Sequence, residues 1–367
     1  MAHEFRFRLA KPLIIPFASK RREQPVSLNF TGCCCGVMVL LRCIGAASLL
    51  SCLAVLALPA AASEPLYVKN LSPVTGLLGL PSQRSAFSED SGSLAAALHS
   101  SVSSNYVLDS NSREYLNLDG ETLRFALDLR YGLAPGLDVQ LEIPWLEQSG
   151  GHLDRLIDDW HDLWGMSDGG RSQVDRDLLD YQYASAFAPG FLLDDDSSGL
   201  GDITLALNYA FFEDENSALS VALGYKFGVG DDDKFLGSGG DDVYVALRFS
   251  GDHLSDLPLR WHGQVGYLRA GDSDLLEDIQ QQDLWFAGLS LDWVLNERWS
   301  LLFQLDGNAA PTKSNITAIG DDAATFSGGV RWRFAQGWTV DASVVEDIVV
   351  ETASDVSFML SLRYGGS

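Results

Sequence analysis

Asp159, His161 and Asp162 are the residues of this chain that most resemble acid–base machinery, because an imidazole beside carboxylates can move protons near neutral pH. Their spacing argues against that role. Adjacent residues on a helix point apart, and no Gly-x-Ser-x-Gly nucleophile turn accompanies them. No catalytic residue is therefore assigned. His99, His152, His161, His253 and His262 show no His-x3-His or other metal-ligand spacing, and no metal site is assigned. Gly237–Gly240 (GSGG) reads as a flexible turn rather than a phosphate cradle. Acidic runs at Asp194–Asp196, Asp231–Asp233, Asp241–Asp242 and Asp321–Asp322 read first as solvated loop tips. Their clustered carboxylates also suit weak Ca²⁺ or Mg²⁺ binding that could bridge lipopolysaccharide phosphates, although no EF-hand spacing is present. No resident cofactor is expected.

A larger set of charges recurs on one face of a periodic pattern. Arg124, Asp128, Arg130, Asp138, Glu142, Arg248, Arg260, Asp292, Asp306, Arg331, Arg333, Asp341 and Arg363 all take the polar turn of an alternating series. Two readings stay open: a selectivity lining for a narrow pore, or a paired charge network that fills and stiffens a small barrel.

The elements that must carry these charges follow from composition and period. The chain has 367 residues, 20% charged and 10% aromatic, with nine Trp and 35 Gly. Mean hydropathy is +0.04 and the isoelectric point about 4.4. Such a chain is too apolar for disorder, and a net charge of −25 would repel nucleic-acid phosphates. From about residue 92 apolar and polar residues alternate in pieces of 7 to 13. Leu123, Phe125, Leu127, Leu129 and Tyr131 interleave with Arg124, Ala126, Asp128 and Arg130. The same period runs through 94–106, 137–145, 203–211, 219–227, 243–249 and 259–267. It continues through 285–293, 299–305, 326–334, 338–344 and 356–364, twelve segments in all. Period two is the signature of strands.

Soluble strands average roughly 5–6 residues, whereas tilted membrane strands need roughly 9–11. Aromatic residues such as Trp145, Trp285, Trp299 and Trp332 sit near strand ends on the apolar face, where membrane interfaces would hold them. The other face carries Arg, Asp, Glu and Gln, costly in a packed core but natural in a wet lumen. The fold expected is all-β: a transmembrane, antiparallel, up-and-down barrel of about 12 strands. Joins after every second strand are short, at 133–136, 214–216, 251–258, 296–297 and 335–337. The alternate joins, at 109–118, 146–200, 229–241, 269–283 and 308–323, are longer on the whole. An even strand count and this alternation match outer-membrane barrels.

The first 62 residues read as leader. All five Cys (Cys33, Cys34, Cys35, Cys43, Cys52) lie in them, as expected of a chain that matures in an oxidising envelope. Residues 1–37 read as a start-site extension, and 38–62 as a signal peptide ending in an A-x-A site at Ala60–Ala62. Loss of residues 1–62 would leave a net charge of −30. Residues 63–91 read as a periplasmic or plug segment, too short to fold alone, and 92–367 as the barrel.

The join at 146–200 is the long extracellular loop. Within it Leu153, Leu156, Ile157, Trp160 and Trp164 fall on one face of a short amphipathic helix, with His161 beside Trp160. An interfacial helix would be Lys/Arg-rich on its polar face, and this one is rich in Asp. Leu153, Leu156, Ile157, Trp160, His161 and Trp164 are therefore expected to fold inward as a gate, their neighbouring acids meeting lumen arginines such as Arg124 or Arg130.

Four stretches go beyond pattern: NLSPVTGLLGLPS (70–82), NLDGE (117–121), GGHLDRLIDDWHDLWGMSDGGR (150–171) and SSGLGDITL (197–205). Together the chain resembles the DUF3187 family of Gram-negative envelope proteins over roughly residues 66–364. The resemblance implies an outer-membrane barrel and brings no activity or catalytic residues with it. The end of the last strand, LRYGGS, lacks a terminal aromatic, so Tyr364 is the residue left for any assembly signal.

The function expected is a narrow or gated diffusion channel for small polar solutes in the outer membrane of a Gram-negative bacterium. A non-conducting structural or adhesive protein is the alternative, and a barrel-embedded hydrolase the second. Partners expected are outer-membrane lipid, lipopolysaccharide and the barrel assembly machinery, with no nucleic acid.

Overall fold

A computed structural model describes residues 63–151, 177–254, 257–349 and 352–365. Among the described residues fifteen strands run in chain order. They are β1 (Leu94–Ser110), β2 (Glu114–Ala134), β3 (Leu137–Ser149), β4 (Asp180–Ser185), β5 (Phe191–Leu193), β6 (Ser197–Leu200), β7 (Ile203–Glu213) and β8 (Ser217–Phe227). Then follow β9 (Asp242–Gly251), β10 (Leu259–Arg269), β11 (Asp283–Val294), β12 (Trp299–Asn308), β13 (Ala323–Ala335), β14 (Trp338–Asp347) and β15 (Val356–Tyr364). Twelve of them, β1–β3 and β7–β15, form a closed wall in which neighbours are antiparallel. Closure comes from β1 against β15, in register from Ala96 opposite Tyr364 to Ser104 opposite Val356.

Alternation fixes which residues face which way. In β2, Phe125, Leu127 and Tyr131 are exposed on the outside, while Arg124, Asp128 and Arg130 are buried inside. Leu98, Leu223 and Leu360 on other strands are half exposed in the same outer band. An apolar band of that extent all round a closed wall is a surface for lipid, not water. Aromatic residues gather at both rims. Trp299 stacks on Trp332 with centroids 5.7 Å apart, and Trp338 meets Tyr364 at 4.7 Å at the end carrying the tight turns. At the opposite end Phe125 lies 6.1 Å from Trp145 and Tyr225 4.7 Å from Phe227. Gly337 takes a φ of +71° in the β13–β14 turn, a left-handed conformation that favours glycine.

Two features differ from the expectation. The join expected at 109–118 is reduced to residues 111–113, because β1 and β2 continue beyond the lipid-facing band as a long hairpin. The join at 146–200 is not simply a loop. Its described part builds β4, β5 and β6, of which β4 extends the sheet on β2 and β6 pairs with β3. Residues 115–119 pair with β1 on one edge and with β4 on the other, so β4 satisfies backbone groups that would otherwise form an open edge beyond the end of β3. The expected amphipathic helix, with Leu153, Leu156, Ile157, Trp160, His161 and Trp164, lies outside the described residues.

Candidate functional site

The lumen is the site, and its main occupant is the segment before β1. Residues 63–90 climb from the turn end to the loop end and come back, which a polar strap can do only if the wall satisfies its backbone. On the way up, Ser63 donates to Asp292 at 2.9 Å. Arg331 donates to the Glu64 carbonyl at 2.7 Å and Arg363 to that of Pro65 at 3.0 Å. Tyr67 stacks on His99, ring centroids 3.8 Å apart, and receives a hydrogen bond from Arg124. At the top, Val74 and Leu77 enter an apolar cluster with Leu116, Leu118, Tyr181, Phe235 and Ile319 that seals the loop-end mouth. Descending, the Gly79 N–H donates to Asp242 at 2.7 Å, Gln83 to Asp306 at 2.7 Å and the Ala86 N–H to Ser250 at 2.8 Å. Arg84 pairs with Asp128. The segment leaves past Gly132, where a Cβ would stand 2.0 Å from the Asp90 carbonyl oxygen, so only glycine permits the crossing.

The wall charges form chains of ion pairs. Arg331 binds Asp341 through two nitrogens, at 2.7 and 2.8 Å, and Asp292 at 3.2 Å. Arg363 reaches Asp341 at 3.0 Å, and Arg333 reaches Asp292 at 3.4 Å. Arg124 holds Glu142 at 2.6 Å, and Lys69 of the strap approaches the same carboxylate at 3.4 Å. Arg130 takes Glu64 at 2.6 Å, Asp138 at 3.2 Å and Glu89 at 3.6 Å. Asp306 accepts from Gln83 and Gln304, while Arg260, half-buried near the turn end, reaches Asp252 at 3.6 Å. Arg248 is buried on β9. The thirteen charges named from sequence thus all lie on the inner side of the wall, most of them buried. Arg124 and Arg130, expected to receive acids of the long loop, are taken by the strap and the wall.

Sequence reasoning missed the strap's share of this network, Glu64, Lys69 and Arg84, which follow no period. It also missed Lys226, whose ammonium contacts Asp202 at 2.8 Å, Asp242 at 3.0 Å and the Leu77 carbonyl at 3.1 Å. Lys226 carried a signal, since it takes an inward position in β8.

Cavities beside the strap are small: about 80 Å³ next to Lys69, Asp202 and Lys226, and about 50 Å³ next to Glu64, Arg84 and Arg363. The buried imidazoles are satisfied without a carboxylate. His99 Nδ1 meets Ser361 at 2.7 Å, and His262 bridges Ser250 at 2.8 Å and Ser63 at 3.3 Å. A hydrolytic triad needs an acid on one ring nitrogen and the nucleophile on the other. Here both nitrogens of His262 face serines, and Asp292 is held by Arg331 and Arg333. Of the acidic runs, Asp231 pairs with Lys234, Asp241 accepts from Tyr225, and Asp242 turns inward to Lys226. Among the described residues no group of three His, Cys, Asp or Glu is placed to hold a metal ion.

Glu64 sets a pH limit on the strap. Burial pushes its carboxyl up, but Arg130, Arg84, Arg363 and the Ser85 N–H outweigh burial and hold it at about 2 against an ordinary 4.5. A depressed carboxyl stabilises fully above its ordinary value, and that contribution fades as pH falls from about 4.5 toward 2. Acid titration of the folded barrel should therefore show a loss of stability in that window that Glu64→Gln lacks. An identical acid limb in both proteins would remove Glu64 from the account.

Among solved structures, the chain is similar to the COG4313 outer membrane channel from Pseudomonas putida F1, at 16% identity over 75% of this chain and 95% of that one, with a TM-score of 0.49. A KdgM porin matches at 8% identity, over 74% and 99% of the two chains, with a TM-score of 0.39. A FadL homologue of Pseudomonas aeruginosa matches at 10% identity, over 84% and 100%, with a TM-score of 0.36. No score reaches 0.5, and nothing about this chain's chemistry follows from them. No curated protein matches. The family model described as protein of unknown function (DUF3187) matches residues 47–365, most of the sequence and the whole of the wall and strap. The chain belongs to the DUF3187 family.

Proposed function

We infer that this barrel is a narrow, gated diffusion channel for small polar solutes in the outer membrane of a Gram-negative bacterium, and that the filled lumen is its closed state. The observation that carries the reading is how the strap is held. Along the lumen it is fixed to the wall by hydrogen bonds and ion pairs, with apolar packing concentrated at the mouth. Once the strap moves, the uncovered surface is charged and hydrogen-bonding, so water can replace it at low cost. The lumen ion pairs, including Arg124 with Glu142 and Arg331 with Asp341, would then line the path and select among ions.

The gate in this reading is the 63–90 strap with its mouth cluster; the 146–200 loop would act through the cluster, to which Tyr181, Tyr183 and Phe191 belong. No catalysis or cofactor is needed. Lipid and lipopolysaccharide would surround the outer band, and the assembly machinery would insert it. A non-conducting structural barrel is the second reading, favoured by the filled lumen. Swelling of vesicles carrying the purified full chain separates them. Small sugars and amino acids should enter faster than into protein-free vesicles, with a steep loss of rate as solute size grows. Rates equal to those of protein-free vesicles at every size would favour the structural barrel.

A further inference from the structure

Arg248 is the one arginine of the wall network whose charge has no partner among the described residues. It lies on β9 with its side chain buried, only 2% of the residue exposed; the neutral Tyr244 hydroxyl is its side-chain hydrogen-bond partner, and its Nε and Nη2 meet no hydrogen-bond acceptor. The carboxylates nearest in the network are already engaged: Glu64 by Arg130, Asp128 by Arg84 and Glu142 by Arg124 and Lys69. Arginine does not release its proton to escape such a position. A buried charge left uncompensated costs several kcal/mol, and buried polar groups without partners call for an ion or water to complete them.

The space for that ion is present. A cavity of about 10 Å³ is bounded by Arg248, Arg84, Lys69, Tyr244, Gln140 and Thr204. That is room for about one water-sized particle. Three of its walls are cationic side chains, and Gln140, Thr204 and Tyr244 can add N–H or O–H donors. Glu142 also borders it but is turned to Arg124. We propose that this cavity is a built anion site which holds one small monatomic anion, chloride in practice, as the counter-ion of Arg248. A water molecule would satisfy the N–H groups and leave the charge. Sulfate or a carboxylate is too large for the space. The site belongs to the closed barrel and does not depend on whether the barrel conducts.

The test uses the purified full chain in detergent at constant ionic strength, with chloride replacing glutamate. The thermal midpoint of the wild type should rise with chloride and, above the dissociation constant, gain the same increment for each tenfold increase. Arg248→Met should show no chloride dependence. In chloride-free buffer it should be at least as stable as the wild type, because the unpaired charge is gone. Equal chloride responses in the two proteins would overturn the proposal. Crystals of the wild type grown in bromide keep it testable if the variant does not fold. An anomalous peak beside the Arg248 guanidinium supports the site, and its absence at full bromide concentration means water only and refutes it.

Discussion

Replacing Arg331 by Met is expected to destabilise the folded barrel by about 3–5 kcal/mol, the usual cost of removing one partner from a buried ion pair. Arg331 is 3% exposed and joins three elements: Asp341 on β14, Asp292 on β11 and the Glu64 carbonyl of the strap. Its loss leaves Asp341 with Arg363 alone and Asp292 with Arg333 at 3.4 Å. The double variant Arg331→Met/Asp341→Asn should recover part of the loss, since it removes the stranded charge as well. Denaturant unfolding in detergent or lipid vesicles measures both. A single variant within about 1 kcal/mol of the wild type, the scale of an exposed pair, would show the network to be solvated.

A second large effect concerns the strap itself. Ser85 of the strap and Ser250 of β9 place their hydroxyl oxygens 3.5 Å apart, so two Cys at these positions need only a small approach of their sulfurs to form a disulfide. Residues 63–367 contain no cysteine of their own, so the pair would be the only thiols in that part of the chain. Oxidised Ser85→Cys/Ser250→Cys should bridge readily, rise in thermal stability and show no conducting events. Reduction should restore the events of the wild type. Conduction that is the same in the oxidised and reduced forms would mean that ions pass without the strap moving.

Much of the wall was legible in the sequence because a barrel strand has a single strong constraint, period two, set by lipid outside and water or charge inside. The run from Leu123 to Tyr131 shows it: each apolar residue but Ala126 faces out, and Arg124, Asp128 and Arg130 face in. Ala126 faces in because the polar side also needs small residues where the strap passes. The tight turns were legible for the same reason, as breaks in the period. The strap was legible only as a segment too short to fold alone. Its conformation is dictated by partners far away in sequence, such as Gln83 with Asp306, and no local period records them. The same holds for β4, β5 and β6: Asp180–Ser185 becomes a strand because β2 outruns β3 and offers an unpaired edge. Arg248 read as one more inward charge, and nothing in its neighbours' types revealed that every nearby acid would be taken.

The claim that the strap closes a conducting barrel is tested most directly by single-channel recording in a planar bilayer, comparing the full chain with a chain lacking residues 63–90. The account predicts brief or rare openings in the full chain and a stable open level, several-fold greater in mean current, in the shortened one. A shortened chain that folds, judged by its strand content, and conducts no better than the full chain would contradict it.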